Sequence, residues 1–217
     1  MPYSLILLDL DGTLVDSSPG IVHSLQHGLE QFKLSASKEE LVPLIGPPAA
    51  EVFKTLHPDL FSDSEKLATA LAAQRAYYAE KGFSDSVLYP GVLDLLSQLK
   101  TKKNKLFIAT LKPLVFAKKL LCHHQIENYF EDIVGTDFNL VLHEKKQIID
   151  KILLSFSMMN KKEVVMIGDR IYDIEAAKHH NIDSIGVTYG YGCMQEITDA
   201  KPTFIANNVN ELFDLLN

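Results

Sequence analysis

The chain has 217 residues, a length between one typical domain and two. Its hydrophobic fraction of 47% and charged fraction of 23% are those of an ordinary globular protein, which excludes a disordered or low-complexity chain. The formal net charge of −7 argues against a general nucleic-acid binder, because such proteins need a basic surface. An anionic substrate remains possible, since the charge inside a cleft can differ from the total.

The sequence also carries few signs of export or membrane insertion. Residues 5–8 are four consecutive apolar residues before Asp9, without a basic leader or a cleavage site, so we expect no signal peptide. No run of about 18 apolar residues is present, so we expect no membrane partner. Cys122 and Cys193 lie far apart and predict neither a disulfide framework nor a cysteine zinc site. We expect a cytoplasmic protein.

The first elements are a strand and a block of helices. The apolar run over residues 4–8 predicts a buried strand that ends at a polar, glycine-containing turn. Ser17, Ser18 and Pro19 are typical of a helix start, and Ser37 with Glu40 forms a capping box for a second helix. Residues 45–48, Ile-Gly-Pro-Pro, predict a loop. Two further helices are predicted over residues 49–57 and 64–81.

Beyond Tyr89 the pattern alternates between helices and strands. Helices are predicted over residues 92–100, 114–123, 145–157, 171–180 and 209–216. Strands are predicted over residues 105–109, 132–134, 164–167, 184–187 and near 204. Strands separated by helices of about ten to fifteen residues are typical of a parallel sheet. The helical block that interrupts this pattern predicts a small inserted second domain.

Polar residues follow three of the predicted strands, where ligands bind in open parallel sheets. Asp9 and Asp11 follow the first strand, Thr110 follows the second, and Asp169 follows the fourth. Clustered carboxylates raise each other's pKa unless a cation lies among them, and Mg²⁺ prefers oxygen ligands. A calcium EF-hand is excluded, because Gly20 stands where its closing glutamate belongs. The sequence therefore predicts a magnesium site.

The same residues suit phosphoryl transfer. A carboxylate can act as a covalent nucleophile. Asp9 and Asp11 project to the same side of an extended backbone, so one can attack while the other transfers protons. A transferred phosphoryl group also needs positive charge and hydrogen-bond donors. Mg²⁺, a lysine near residue 145, the Thr110 hydroxyl and the backbone amides of residues 11–13 would supply them.

The order of these motifs resembles that of the haloacid dehalogenase-like superfamily. The matching segments are residues 9–17, DLDGTLVDS, then Ala109-Thr110, Lys145 or Lys146, and residues 168–173, GDRIYD. Within the superfamily the chain is most similar to phosphoglycolate phosphatases and their 5′-nucleotidase-like relatives. The residues that suggest this are 45–48, 89–91, 168–170 and 186–192.

The resemblance covers the whole chain and implies its architecture. The expected fold is α/β, with a Rossmann-like doubly wound parallel sheet and an inserted helical cap. The catalytic core would comprise residues 1–15 and 87–217, and the cap residues 16–86.

The resemblance also implies roles for individual residues. Asp9 would be the nucleophile and a Mg²⁺ ligand. Asp11 would be the general acid and base, and would bind the metal through its backbone carbonyl. Thr110 would hold the phosphoryl oxygens. Lys145 is preferred over Lys146 as the residue that pairs with the phosphate and Asp9.

Two further acids complete the expected metal site. Asp169 would be a ligand, and Asp173 would either ligate the metal or orient Lys145. We expect the substrate to contact four more residues: Gly12, Thr13, Leu111 and Gly46. Leu111 departs from the family, whose members carry a small polar residue after the threonine, so its backbone amide would have to serve. Lys112-Pro113 is interpreted as a helix-starting turn.

The expected function is a Mg²⁺-dependent phosphatase that hydrolyses small phosphomonoesters through an aspartyl-phosphate. Phosphoglycolate is the first expected substrate and a 5′-nucleotide the second. A phosphomutase similar to β-phosphoglucomutase and a degenerate binding protein with this fold remain alternatives. The expected partner is a small phosphorylated metabolite, with no nucleic acid or membrane partner, bound by a monomer or a homodimer.

Overall fold

The computed structural model describes residues 3–138, 142, 144–156 and 159–217. The chain divides into two compact units. The first extends up to Asp16 and from Val87 to Asn217, and the second is Ser17–Ser86. Asp16 belongs to the first unit, one residue beyond the predicted boundary, because it pairs there with Val87 in a short antiparallel ladder.

Eight strands lie in the described part of the chain. They are β1 (Leu5–Leu8), β2 (Val15–Asp16), β3 (Val87–Leu88), β4 (Lys105–Pro113), β5 (Asp132–Thr136), β6 (Val164–Gly168), β7 (Asp183–Val187) and β8 (Phe204–Ala206). Six of them form one sheet in the order β5-β4-β1-β6-β7-β8, and every neighbouring pair in it is parallel. The strand β1 therefore lies between β4 and β6.

Eleven α-helices accompany these strands within the described residues. They are α1 (Ser18–Glu30), α2 (Lys38–Leu41), α3 (Ala49–Leu56), α4 (Pro58–Phe61), α5 (Ser64–Glu80), α6 (Val92–Thr101), α7 (Leu114–His123), α8 (Lys145–Leu153), α9 (Ile171–His180), α10 (Met194–Asp199) and α11 (Val209–Leu216). Single 3₁₀ turns occur at Val42–Leu44, Gly82–Ser84, Glu127–Tyr129, Leu154–Phe156 and Lys161–Glu163. None of the described helices combines the length and apolar character that a membrane crossing requires.

The first unit is built around β1, whose side chains are fully buried. Alternate residues of a strand point to opposite faces of its sheet. Ile6 and Leu8 accordingly pack with apolar residues of α6, α7 and α11. Leu5 and Leu7 pack with residues of α8 and α9. Burial on both faces explains why the strand is a continuous apolar run, and the predicted α/β fold with a doubly wound parallel sheet is confirmed.

The second unit contains α1 to α5 and no described strand. Helix α1 approaches its neighbours closely at Gly28, where an added Cβ would lie 2.6 Å from the Phe53 ring and 2.8 Å from the Ala70 carbonyl oxygen. Phe53 and Phe61 are fully buried and stack at 5.2 Å between ring centroids. The predicted capping box is present, since the Ser37 amide donates to Glu40 Oε2 at 2.7 Å and the Glu40 amide to Ser37 Oγ at 3.3 Å.

Two predicted elements of the first unit, β4 and α8, have different bounds in the structure, and one helix of that unit is missing from the prediction. Strand β4 continues to Pro113, so Thr110 lies inside the strand and not after it. The pairing of β4 with β5 shifts register after Ala109. Pro113 is tolerated because it lies at the strand end. Helix α8 ends at Leu153 and gives way to the 3₁₀ turn Leu154–Phe156, whereas residues 157 and 158 lie outside the described residues. Helix α10 was not predicted, because its cap is the thiol of Cys193, which is not among the usual capping side chains.

The burial of β1 predicts that its leucines dominate the stability of the first unit. Leu7→Ala should reduce the free energy of unfolding by about 2–5 kcal/mol, because the neighbouring helices cannot fill the cavity. Leu154→Ala is the matched control, since that side chain is 78% exposed and should change stability by less than about 0.5 kcal/mol. Denaturant unfolding followed by circular dichroism measures both, and equal losses would contradict this packing.

Candidate active site

Three carboxylates meet at the carboxyl ends of the central strands. Asp9 directly follows β1, Asp169 directly follows β6, and Asp173 lies in the first turn of α9. The three residues are buried, and one oxygen from each lies within 4.8 Å of the others. The parallel order of β1 and β6 produces this convergence, because neighbouring parallel strands end at the same edge of the sheet.

A single buried lysine lies against two of these carboxylates. The Lys145 Nζ atom is 2.9 Å from Asp9 Oδ1 and 2.7 Å from Asp173 Oδ1, and it donates to the Ala109 carbonyl at 2.8 Å. Lys146 instead points outward and pairs with Glu144 at 2.5 Å. The structure therefore brings Lys145 into the carboxylate cluster and places Lys146 on the surface.

The environment of Lys145 keeps its ammonium charged. Burial by itself would lower the pKa of this group. The negative charges of Asp173 and Asp9, together with their hydrogen bonds, outweigh burial and raise the pKa above its ordinary value. Lys145 therefore supplies a permanent positive charge beside Asp9.

The carboxylates carry more negative charge than Lys145 balances. Burial, and then repulsion from Asp9 and Asp173, raises the pKa of Asp169 well above its usual range. Burial is also the main reason that the pKa of Asp173 rises to about 6; repulsion from Asp9 adds to the rise, and Lys145 opposes it. Such shifts are expected where like charges converge without enough cations among them.

A second lysine, Lys112, pairs with Asp11, another acid of the first motif. Lys112 Nζ lies 2.9 Å from Asp11 Oδ1 and 3.0 Å from Oδ2. Pro113 does precede helix α7, as the helix-start interpretation of Lys112-Pro113 expects, but the Lys112 side chain turns back into the site. The sequence offers no local signal for this contact, because the two residues are 101 positions apart.

A charge count tests whether a divalent cation fits. The four carboxylates of Asp9, Asp11, Asp169 and Asp173 face two ammonium groups, which leaves the cluster with two formal negative charges in excess. Arg170 does not alter the balance, because it pairs with Glu196 at 2.9 Å. A divalent ion with oxygen ligands would neutralise the cluster, and Asp9, Asp169 and Asp173 offer the donor set that Mg²⁺ prefers.

A glycine-containing loop holds Asp169 in place. The Tyr191 amide donates to Asp169 Oδ2 at 2.7 Å. A Cβ added at Gly190 would lie 2.3 Å from the Gly12 carbonyl oxygen and 2.4 Å from Asp169 Cβ, so this position excludes a side chain. The Tyr189 hydroxyl donates to the Thr13 carbonyl at 3.1 Å. Residues 189–192 thus form a structural turn beside the site.

The expected substrate-contacting residues of the first unit lie around the cluster. Gly12 has a φ of +81°, and a Cβ there would lie 2.2 Å from Asp169 Oδ2. The buried Thr13 hydroxyl donates to Asp169 Oδ1 at 3.3 Å. The Thr110 hydroxyl accepts from the Lys112 amide at 3.2 Å, and the Leu111 carbonyl accepts from Thr136 at 3.0 Å.

The fourth expected contact residue, Gly46, belongs to the other unit. It lies in the Ser17–Ser86 unit, between the 3₁₀ turn Val42–Leu44 and helix α3, with a φ of +132°. Its left-handed backbone fits the loop that the Ile-Gly-Pro-Pro sequence predicts.

Comparison with known proteins identifies the family of this chain. The haloacid dehalogenase-like hydrolase family model matches residues 6–187, and the chain belongs to this family. A predicted phosphatase from Clostridium acetobutylicum, whose structure is solved, is 35% identical with a TM-score of 0.92, covering 100% of this chain and 99% of that one.

Three relatives with different names are similar to this chain over most of its length. A tyrosine-protein kinase, PtkA of Mycobacterium tuberculosis, is 32% identical over 98% of this chain and 72% of its own length. A 5′-nucleotidase of Pseudomonas aeruginosa is 30% identical over 99% of this chain and 96% of its own length. A phosphoglycolate phosphatase of Colwellia psychrerythraea is 34% identical over 95% of this chain and 94% of its own length. The chain is thus a hydrolase of the phosphatase class within this family.

The excess negative charge predicts that Mg²⁺ reverses the order of stability of the protein and its Asp169→Asn variant. In EDTA the variant should be at least as stable, because it removes one repelling carboxylate. Mg²⁺ should raise the unfolding temperature of the unchanged protein but not that of the variant. At a Mg²⁺ concentration of 100 times the Kd, binding adds about 2.7 kcal/mol to the free energy of unfolding.

Thermal unfolding in EDTA and in Mg²⁺ gives the unfolding temperatures of both proteins, and so tests this reversal. Asp94→Asn is the matched control, because Asp94 is exposed in the first turn of α6 and should leave the Mg²⁺ effect unchanged. An equal Mg²⁺ shift in the Asp169→Asn variant would show that the ion binds elsewhere.

Proposed function

We propose that the chain is a Mg²⁺-dependent phosphatase that hydrolyses small phosphomonoesters through an aspartyl-phosphate at Asp9. The observation that supports this best is the contact of Asp9 with the buried Lys145 ammonium at 2.9 Å, beside the carboxylates of Asp169 and Asp173. A carboxylate with an adjacent fixed cation suits attack on an anionic phosphoryl group.

In the first step, the Asp9 carboxylate attacks phosphorus, and the ester bond between phosphorus and the leaving oxygen breaks. Asp11 donates a proton to that oxygen. Lys145 neutralises charge on Asp9 and the phosphoryl group, while the Thr110 hydroxyl and backbone amides of residues 11–13 hold the phosphoryl oxygens. In the second step, Asp11 takes a proton from water, the water oxygen bonds to phosphorus, and Asp9 is released with inorganic phosphate.

The residues that would hold the Mg²⁺ ion are Asp9, Asp169 and the backbone carbonyl of Asp11. Bound there, the ion would neutralise the negative charge of the cluster and of the substrate. Asp173 lies 2.7 Å from Lys145 and accepts from the Arg170 amide at 3.2 Å, so both of its oxygens already serve the protein. These contacts favour the orienting role of Asp173 over direct ligation.

We propose phosphoglycolate as the first candidate substrate and a 5′-nucleotide as the second. The names of relatives that match nearly the whole chain support both. The Ser17–Ser86 unit would be the helical cap domain, and Gly46 in that unit stays a proposed substrate contact. A cytoplasmic location is supported by the two cysteines, Cys122 and Cys193, which are free and exposed.

Asp9→Asn should abolish turnover to below a few per cent, because an amide does not form the acyl phosphate. Phosphate release from a panel of phosphoglycolate, nucleotides and sugar phosphates, with and without Mg²⁺, measures the loss. Asp94→Asn serves as the control. Turnover by Asp9→Asn close to that of the unchanged protein would refute the aspartyl-phosphate. Isomerised hexose phosphate in place of free phosphate would favour the phosphomutase.

The adjacent lysines offer a paired test of the buried cation. Lys145→Met should lower kcat/KM by about 10²–10³-fold, because the site loses a preorganised positive charge. Lys146→Met carries the same chemical change on the exposed neighbouring residue and should stay near the activity of the unchanged protein. Steady-state kinetics with saturating Mg²⁺ measures both variants. Similar losses in the two would mean that the position of Lys145 has no special role.

A further inference from the structure

The Lys112 side chain is a buried cation that the proposed reaction does not use. Only 6% of its side chain is exposed, and its ammonium contacts both oxygens of Asp11, whose side chain is 15% exposed. Removing an ammonium from water costs several kcal/mol unless a partner compensates for it. Asp11 is that partner in this structure, so Lys112 can take a second anionic partner only through a change in this pair.

Lys112 contacts the residue that is proposed to protonate the leaving group. Its backbone amide donates to the Thr110 hydroxyl, and its ammonium faces Asp11, the proposed proton donor to the leaving oxygen. The other buried cation, Lys145, contacts Asp9 and not Asp11 among the contacts described. Because Lys112 contacts Asp11, a substrate whose leaving oxygen meets Asp11 as proposed would bring its next atoms close to the Lys112 ammonium.

The pairing of Lys112 with Asp11 conflicts with the work proposed for Asp11. Both Asp11 oxygens contact the Lys112 ammonium, whereas the proposed proton transfer needs one of them to face the leaving oxygen. A substrate anion that replaces Asp11 on Lys112 would remove this conflict. The ammonium would keep one carboxylate partner throughout, so the charge of Lys112 would not be left unpaired. Lysine suits such an exchange, since its flexible stem can redirect three donors.

We propose that Lys112 is a specificity-determining residue that binds a second anionic group of the substrate, close to the ester oxygen, in exchange for Asp11. This inference rests on the proposed phosphatase function and narrows its substrate class. The preferred substrates carry a carboxylate on the carbon next to the ester oxygen. Neutral leaving groups leave Lys112 on Asp11 and react slowly.

A matched pair of substrates tests this assignment. Phosphoglycolate and its carboxamide have nearly the same shape and differ in the negative charge that Lys112 would bind. With saturating Mg²⁺, the unchanged protein should prefer the acid by about 10- to 100-fold in kcat/KM, the value of one charge-assisted hydrogen bond. Lys112→Met should reduce this preference to near unity by losing activity toward the acid. Lys112→Arg should retain part of it.

The control is Lys118→Met, because Lys118 is exposed on α7 and its loss should leave the preference unchanged. If Lys112→Met folds poorly, calorimetric binding of the two compounds to Asp9→Asn, with and without Lys112→Gln, gives the same comparison. Selective loss of binding for the acid supports the assignment.

Two results would overturn this assignment and leave the phosphatase function intact. One is an equal loss for acid and amide in Lys112→Met, which would assign Lys112 to Asp11 alone. The other is equal use of acid and amide by the unchanged protein. Hydrolysis of neither compound, nor of any other phosphomonoester, would instead reject the phosphatase function together with this inference.

Discussion

The buried ammonium of Lys145 is the interaction on which the site depends. It joins Asp9 after β1, Asp173 on α9 and the Ala109 carbonyl of β4 through three contacts of 2.7–2.9 Å. Without a cation there, the two buried carboxylates of Asp9 and Asp173 would repel each other, which disfavours their charged forms and destabilises the fold. The lysine is supplied by the first residue of α8, so the packing of that helix against β4 fixes the centre of the site.

The surroundings of Asp169 show the second constraint, which is close approach of backbone. Gly12 and Gly190 lie against this carboxylate so tightly that neither position can carry a side chain. Their backbones, the Tyr191 amide and the Thr13 hydroxyl fix a fully buried acid whose charge Lys145 does not neutralise. A rigid, under-neutralised carboxylate is what a divalent cation requires, since oxygen ligands held in place lose little freedom on binding.

Relatives with similar chains are called a phosphoglycolate phosphatase, a 5′-nucleotidase and a tyrosine-protein kinase. Under the proposed function, the cluster of acids and Lys145 would carry out the phosphoryl chemistry, and other residues would select the substrate. In this chain, Lys112 and the residues of the Ser17–Ser86 unit are the candidates for that selection.

The sequence by itself predicted most of the helices and strands, and it singled out Asp9, Asp169 and Asp173, which the structure brings together. The apolar run before Asp9, the capping box at Ser37 and the regular alternation of helices and strands are local signals, because they depend on neighbours a few residues apart. The motif order likewise placed Asp9, Asp11 and Asp169 at strand ends.

The tertiary structure decided which cations join them. Lys145 and Lys146 are adjacent on one helix turn, so their roles depend on the face that packs inward. The Lys112–Asp11 pair joins residues 101 positions apart, and it forms because β1 and β4 are neighbours in the sheet. Contacts between residues distant in sequence depend on strand order and packing, which no local pattern encodes.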